Sequence, residues 1–386
     1  MIDSLRRRVV GLQPVSVHGI VVTLLAVTTA GILVAMIVGP RGFAAGRGRP
    51  YARQLPDRAA SDGYLVGAYY YPWYGPGRLK WADGHLNQPD LGEYSSGDPD
   101  VVSQHIELAT GSGIDFFLVS WWGPGTSTDT TLQHALLGNP AIGEIRFAID
   151  YESDGRLIVN NGTIDLDDTR NQDVLASDLR YLEGSYWNNA QYLKVNGANV
   201  LFLYSSHEFV GDVAGVLASL RQQASDDGYA IYLLGDEVSW GGSAREPAGR
   251  IQAFDAITSY NMYTPGAGGR LNAFSDAVST EYSAWQQRAE ALSVSFVPDA
   301  VPGFDDLPVR PDAHHPPLTP SPALFREQLA MALAHAEPPL NLVLITSWNE
   351  WNEGTAIEPS TQFGGQYLDI LRQTLDSLSP APTGAT

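Results

Sequence analysis

The chain has 386 residues, 44% of them hydrophobic, and a formal net charge of −20. About 300 residues suffice for one α/β barrel, so a single large catalytic domain is expected. The acidic balance argues against nucleic acid as a partner, and the absence of cysteine excludes disulfides, thiolate nucleophiles and Cys-ligated zinc.

From the N-terminus, residues 1–18 are basic, with Arg6, Arg7 and Arg8 together. Gly19 to Val38 follows as 20 residues without a charge, enough to cross a bilayer core of about 30 Å as a helix. A cleavable signal usually has a shorter apolar core, so this reads as a transmembrane helix or signal-anchor, although Phe43-Ala44-Ala45 offers a small-residue cleavage site. Arginines flank both ends, so charge does not set the orientation. The body is expected outside the cytoplasm, or secreted after cleavage, because its expected substrate lies there. Residues 39–62 are rich in Gly, Arg, Pro and Ala and read as a flexible linker. Eight of the arginines precede residue 59, leaving fifteen basic and forty-one acidic residues beyond it, a net of −26.

From 63 to 378 apolar runs alternate with amphipathic stretches. The expected strands are Leu65 to Tyr71, Ile114 to Ser120, Ile145 to Tyr151, Asn199 to Tyr204, Tyr229 to Leu234, Phe254 to Tyr260, Ser293 to Pro298 and Asn341 to Trp348. Between them Asp100 to Thr110, Asp173 to Glu183, Val210 to Ala224, Ser275 to Leu292 and Pro322 to Ala336 read as helices. Alternation of this kind implies a parallel sheet, and eight units imply a (β/α)₈ TIM barrel. Gly-rich Val238 to Arg250 gives the weakest helical signal, and a doubly wound sheet is the alternative. Residues 379–386 form a Pro/Ala/Thr tail.

In a barrel the site lies at the carboxyl ends of the strands. Those ends read Tyr69-Tyr70-Tyr71-Pro72-Trp73-Tyr74, Ser120-Trp121-Trp122, Asp150-Tyr151-Glu152 and Tyr260-Asn261-Met262-Tyr263, and the last strand runs into Trp348-Asn349-Glu350-Trp351-Asn352-Glu353. Aromatics and carboxylates thus converge from five strands. Any one aromatic there is packing more often than a sugar subsite; five together favour a site.

Glu350 and Glu353 stand three apart, so a helical turn would put their Cβ atoms about 5–6 Å apart on one face. Glycosidic cleavage uses one carboxylic acid to protonate the leaving oxygen and a second carboxylate near the reacting carbon. Two such neighbours cannot both ionise freely, which raises one pKa as a general acid requires. Indole faces stack on the C–H side of a pyranose. A solvated glutamate pair opening a surface helix is the plain alternative, and the flanking tryptophans weigh against it. The scattered histidines show no metal-binding spacing, and no cofactor is expected.

These residues resemble glycoside hydrolase family 99, the endo-α-mannosidases and endo-α-mannanases. The likeness runs in order through YYPWYG at Tyr70 to Gly75, EYSSGDP at Glu93 to Pro99, Val119-Ser120-Trp121-Trp122, Phe254-Asp255-Ala256-Ile257 before Tyr260, Phe296-Val297-Pro298 to Gly303-Phe304, and ITSWNEWNEGTAIEP at Ile345 to Pro359. The resemblance implies a retaining, endo-acting enzyme on an α-linked oligo- or polysaccharide, in which the substrate's own 2-hydroxyl is the nucleophile and a 1,2-anhydro sugar the intermediate. By motif position, Glu350 would take the 2-hydroxyl proton and Glu353 would be the acid/base. The family's carboxylate after the third strand corresponds to Asp150 or Glu152. Tyr70, Tyr74, Trp121, Trp122, Tyr260, Asn349 and Trp351 would build the sugar subsites. Asn352 stands where the family usually has histidine, which puts the mannoside specificity in question. Relatives with a similar NEWxEG signature have been described as glycosyltransferase-like, so a polysaccharide-associated transglycosylase or transferase is the second enzyme reading. A glycan-binding barrel without catalysis is the third, and the retained acid pair argues against it.

Overall fold

The structure, a computed structural model, describes residues 63–75, 79–263, 270–312 and 315–378. The expected basic segment, membrane-spanning Gly19 to Val38, linker and C-terminal tail lie outside them. Among the described residues no helix is long and apolar enough to cross a membrane.

Nine parallel strands form one curled, TIM-barrel-like ladder: β1 (Leu65–Tyr70), β2 (Phe116–Trp121), β3 (Arg146–Tyr151), β4 (Ala198–Leu203), β5 (Ile231–Asp236), β6 (Ala256–Thr258), β7 (Ser295–Phe296), β8 (Asp299–Ala300) and β9 (Leu342–Ile345). Pairing runs β7-β6-β5-β4-β3-β2-β1-β9-β8. The two ends of this ladder, β7 and β8, are separated in the chain only by Val297 and Pro298. The first of these donates its N–H to Ile257 on one side, at 2.9 Å, and the second accepts from Leu344 on the other, at 3.0 Å. The expected seventh strand is therefore this broken pair, interrupted where proline has no N–H to give.

Strand side chains alternate between two layers. Leu65, Tyr69 and Tyr71, Phe116 and Leu118, Ala148, Phe202, and Leu342 and Leu344 pack inside the curl. Val66, Ala68 and Tyr70, Phe117, Val119 and Trp121, Ile149, and Val343 and Ile345 pack outward against the helices. Gly67 faces inward because the Phe116 ring fills its place; a Cβ there would lie 2.1 Å from that ring.

The helices that bear on the site and its packing are α1 (Leu79–Ala82), α2 (Pro99–Ser112), α3 (Thr169–Ser185), α4 (Val213–Asp226), α5 (Phe274–Leu292), α6 (Pro322–His335) and α7 (Gln366–Leu378), with other one-turn helices between. Their limits follow local chemistry. In α2 the Asp98 side chain caps the Asp100 N–H, Pro99 starts the helix, and left-handed Gly113 (φ 102°) returns its N–H to the Ala109 and Thr110 carbonyls. The Gly-rich stretch after β5 gives only the short turns Gly242–Ala244 and Ala248–Ile251. Helix α7 was not among the expected helices, yet Tyr367, Leu368, Ile370 and Leu371 form its buried stripe. Strand β5 runs to Asp236, two residues beyond its expected end, which delivers that carboxylate to the rim.

Candidate active site

Beyond β9 the chain folds into a tight turn that carries both glutamates. The Glu350 N–H donates to Ser347 Oγ at 2.7 Å and the Asn352 N–H to Glu350 Oε1 at 3.0 Å. Asn352 spends its side-chain amide on the Lys80 and Gly84 carbonyls, at 2.8 and 2.5 Å, and so fastens α1 to the turn. Glu350 is buried, 3% exposed. The Glu353 side chain, 21% exposed, lines a cleft of about 500 Å³.

A third carboxyl completes the group. Glu152 accepts a short hydrogen bond from Ser120 Oγ, which in turn accepts from Trp122 Nε1 at 3.0 Å. Burial pushes Glu152 up to about 8, with Asp154 and Glu353 adding to the rise and the Ser120 bond and Lys80 opposing it. Glu350 is raised well above the usual carboxylate range by burial and then by Glu353, with Lys80 pulling the other way. Glu353 is raised by burial, against Arg310 and with Asp306. Three carboxyls crowded this way do not all ionise at neutral pH, so a proton is available for donation.

Tyr260 ties the group together: its hydroxyl donates to Glu353 Oε2 at 3.4 Å and accepts from the Tyr71 hydroxyl at 2.8 Å. Arg310 Nη1 reaches Glu353 Oε1 at 3.4 Å and Asp306 Oδ2 at 2.5 Å. Lys80 Nζ lies 4.0 Å over the Trp73 ring.

Several expected subsite residues lie elsewhere. Tyr70 and Trp121 occupy outward strand positions, one residue out of phase with the interior. The Tyr70 hydroxyl pairs with His105 Nδ1 at 3.1 Å and its ring stacks on Phe117, while Trp121 donates to Asp129 at 2.8 Å and stacks near Tyr181. Tyr69 and Tyr71 hold the inward positions instead. Trp351 and Asn349 are buried braces: Trp351 Nε1 donates to Glu358 at 3.1 Å, and the Asn349 amide clamps the Tyr71 backbone at 2.7 and 3.1 Å. Tyr74 is buried as well, taking the Trp351 N–H on its hydroxyl at 3.0 Å. Trp122 stays at the rim, 6.2 Å from Trp73 between ring centres. Asp150 points into the curl, where Oδ1 has no hydrogen-bond partner among the described residues and burial raises its pKa. Glu152, not Asp150, has Glu353 among its electrostatic neighbours.

Beneath the turn, Glu358 accepts from Tyr94 at 2.7 Å and pairs with His105 Nε2 at 3.1 Å, joining α2 to the Trp351 brace. The cleft also takes Tyr204, His207, Asp236, Trp240, Asp306, Arg310 and His315, none of which sequence reasoning singled out. Asp236 follows from the longer β5. Arg310 and His315 sit in the long loop after β8, where no periodicity marks them.

A model of the family described as Glycosyltransferase WbsX matches residues 83–371. The "Uncharacterized protein WxcX" of Xanthomonas campestris pv. campestris is 26% identical over 362 residues, covering 81% of this chain and 48% of that one. A glycoprotein endo-alpha-1,2-mannosidase of Xenopus laevis is 26% identical over 283 residues, covering 70% of this chain and 57% of the relative. The chain thus spans about half the length of the curated relatives it matches. The solved GH99 endo-alpha-mannosidase of Bacteroides thetaiotaomicron shares the fold, with a TM-score of 0.61, 19% identity, and 84% of this chain and all of that one covered.

Proposed function

The chain belongs to the family described as Glycosyltransferase WbsX, and from that premise we propose that it is a retaining glycoside hydrolase, endo-acting on α-mannosides or a related α-glycan. It is a family 99-like protein by its ordered motifs, its relatives and its fold. The observation that carries the reading is the pair on one turn: Glu353 open to a cleft, Glu350 buried beside it, and both electrostatically joined to Glu152.

In this reading Glu353 protonates the leaving oxygen and then activates water, and Glu350 takes the proton of the substrate's 2-hydroxyl as that oxygen closes on the anomeric carbon. Bond making and breaking balance without a carboxylate ester: the C1–O bond to the leaving sugar breaks as the C1–O2 bond forms, and water later reverses the closure. The retaining outcome follows from two inversions. Membrane anchoring through Gly19 to Val38, with the body outside the cytoplasm, is part of the same proposal.

The family's description favours one second reading, transfer of the glycosyl group to a sugar acceptor in place of water. One experiment separates them. Incubation of the body, residues 60–386, with α-mannans and defined α-1,2- and α-1,3-linked manno- and glucosyl-oligosaccharides should release shorter sugars, with the retained anomer first by proton NMR. Longer products would establish transfer; an inverted first product would refute the mechanism.

A further inference from the structure

Basic residues are scarce beyond residue 59, fifteen against forty-one acidic, yet several gather at the cleft beside Glu353. Arg310 and His207 line it. Arg270 lies 4.5 Å over the ring of Trp240, another lining residue, whose carbonyl accepts from Arg245 at 2.7 Å. The cations stand outermost. The Arg310 side chain is 56% exposed against 3% for its partner Asp306, and His207 is 45% exposed against 7% for Asp236.

The carboxylates behind them are engaged by the protein itself. Asp236 accepts the Tyr260 and Ser205 N–H groups at 2.9 and 3.1 Å, and Asp306 lies between Arg310 and His315 Nε2, the latter at 3.1 Å. The donors are not used up. Arg310 employs Nη1 alone, for Asp306 and Glu353, and His207 employs Nδ1 alone, toward Asp236. That leaves Arg310 Nε and Nη2 and His207 Nε2 without a hydrogen-bond partner among the described residues. Burial lowers the His207 pKa, but the hydrogen bond and charge of Asp236 outweigh it and carry it to about 9, so the ring is a cation at neutral pH.

We infer that the glycan bound here carries an anionic substituent, a carboxylate or a phosphate, on or beside the sugar lodged next to Glu353, and that Arg310 and His207 bind it. A neutral sugar hydroxyl could accept the same donors, but charge-assisted bonds to an anion are roughly twice as strong. The acidic body otherwise repels such a ligand, and that long-range repulsion is screened by salt more than contacts inside the cleft are. The inference rests on the reading of the site as a glycan-cleaving one.

Calorimetry on the full chain carrying Glu350→Gln, in which the proposed mechanism slows turnover so that binding is read alone, tests both. The probes are a neutral α-linked manno-oligosaccharide, its uronate-bearing counterpart and its 6-phosphorylated counterpart. One anionic probe should bind about tenfold more tightly than the neutral one, as expected for one charge-assisted contact, and which of the two does so identifies the substituent. Arg310→Gln and His207→Gln, each added to that variant, should erase the preference, read as the ratio of anionic to neutral affinity. Equal or tighter binding of the neutral probe, or equal losses for all probes in these variants, overturns the inference and leaves the glycosidase reading standing. Binding of none of the three overturns both.

Discussion

At the residue scale the site is a problem of three carboxyls and too little positive charge. Arg310 and Lys80 oppose the rise in carboxyl pKa without abolishing it, which leaves protons on a cluster that donates one in the proposed mechanism. In the proposed mechanism Glu353→Gln cannot supply that proton, so turnover of natural glycans should fall by ~10²–10⁴-fold. A substrate with an activated aryl leaving group should be partly spared. Glu350→Gln should slow both substrate types alike, since the 2-hydroxyl must lose its proton in either case; steady-state kinetics on the two substrates read both variants. Glu152 makes a separate prediction for stability. It titrates at about 8 in the fold against an ordinary 4.5, so between those values the fold keeps a proton that the unfolded chain has released. Its contribution is therefore complete at low pH and is lost as the pH rises toward 8. Thermal melting should show Glu152→Gln gaining on the native chain at pH 8 but not at pH 5.

At the scale of elements, the turn that carries Glu350 and Glu353 is held from below by parts distant in sequence. Glu358 collects His105 of α2, Tyr94 and Trp351, and Asn352 grips the segment Lys80 to Gly84. Both His105 and Glu358 are buried, 0% and 1% exposed in their side chains. Removing one partner of such a pair strands the others, so Glu358→Ala should cost about 3–5 kcal/mol, measured by urea unfolding. Strand phase belongs to this scale too. The run Tyr69-Tyr70-Tyr71 offers three candidate rings; the alternation of β1 gives the interior to the outer two and sends Tyr70 to the helix layer. The composition of the run is the same for either phase. Only the register with β2 and β9, which pairs Tyr69 with Leu118 and Ala68 with Ile345, selects one. The same phase decides Trp121 against Ser120, and so places the hydroxyl that holds Glu152.

At the scale of the whole molecule, the first strand is closed by the last: β1 begins at Leu65, whose N–H donates to the Asn341 carbonyl on the approach to β9 at 2.9 Å. Residues 60–386 expressed alone should therefore melt cooperatively, at the temperature of the same body within the full chain; an earlier or broadened transition would show that the N-terminal segment contributes to folding. The sequence by itself determined the alternation of strands and helices and the position of each main strand to within a few residues, because period and turn chemistry are local. It also determined Glu350 and Glu353 as a pair, because an i, i+3 spacing in a turn needs no distant partner to be read. What tertiary structure decided was everything that depends on which strands meet: the interior phase of each strand, the demotion of Tyr70, Trp121 and Trp351 to bracing, the neighbouring of Glu152 rather than Asp150 with Glu353, and the arrival of Arg310, His207 and Asp236 at the cleft. Those residues come from loops and strand ends tens to hundreds of positions apart, and contact between them is a consequence of curling the sheet, which no local pattern records.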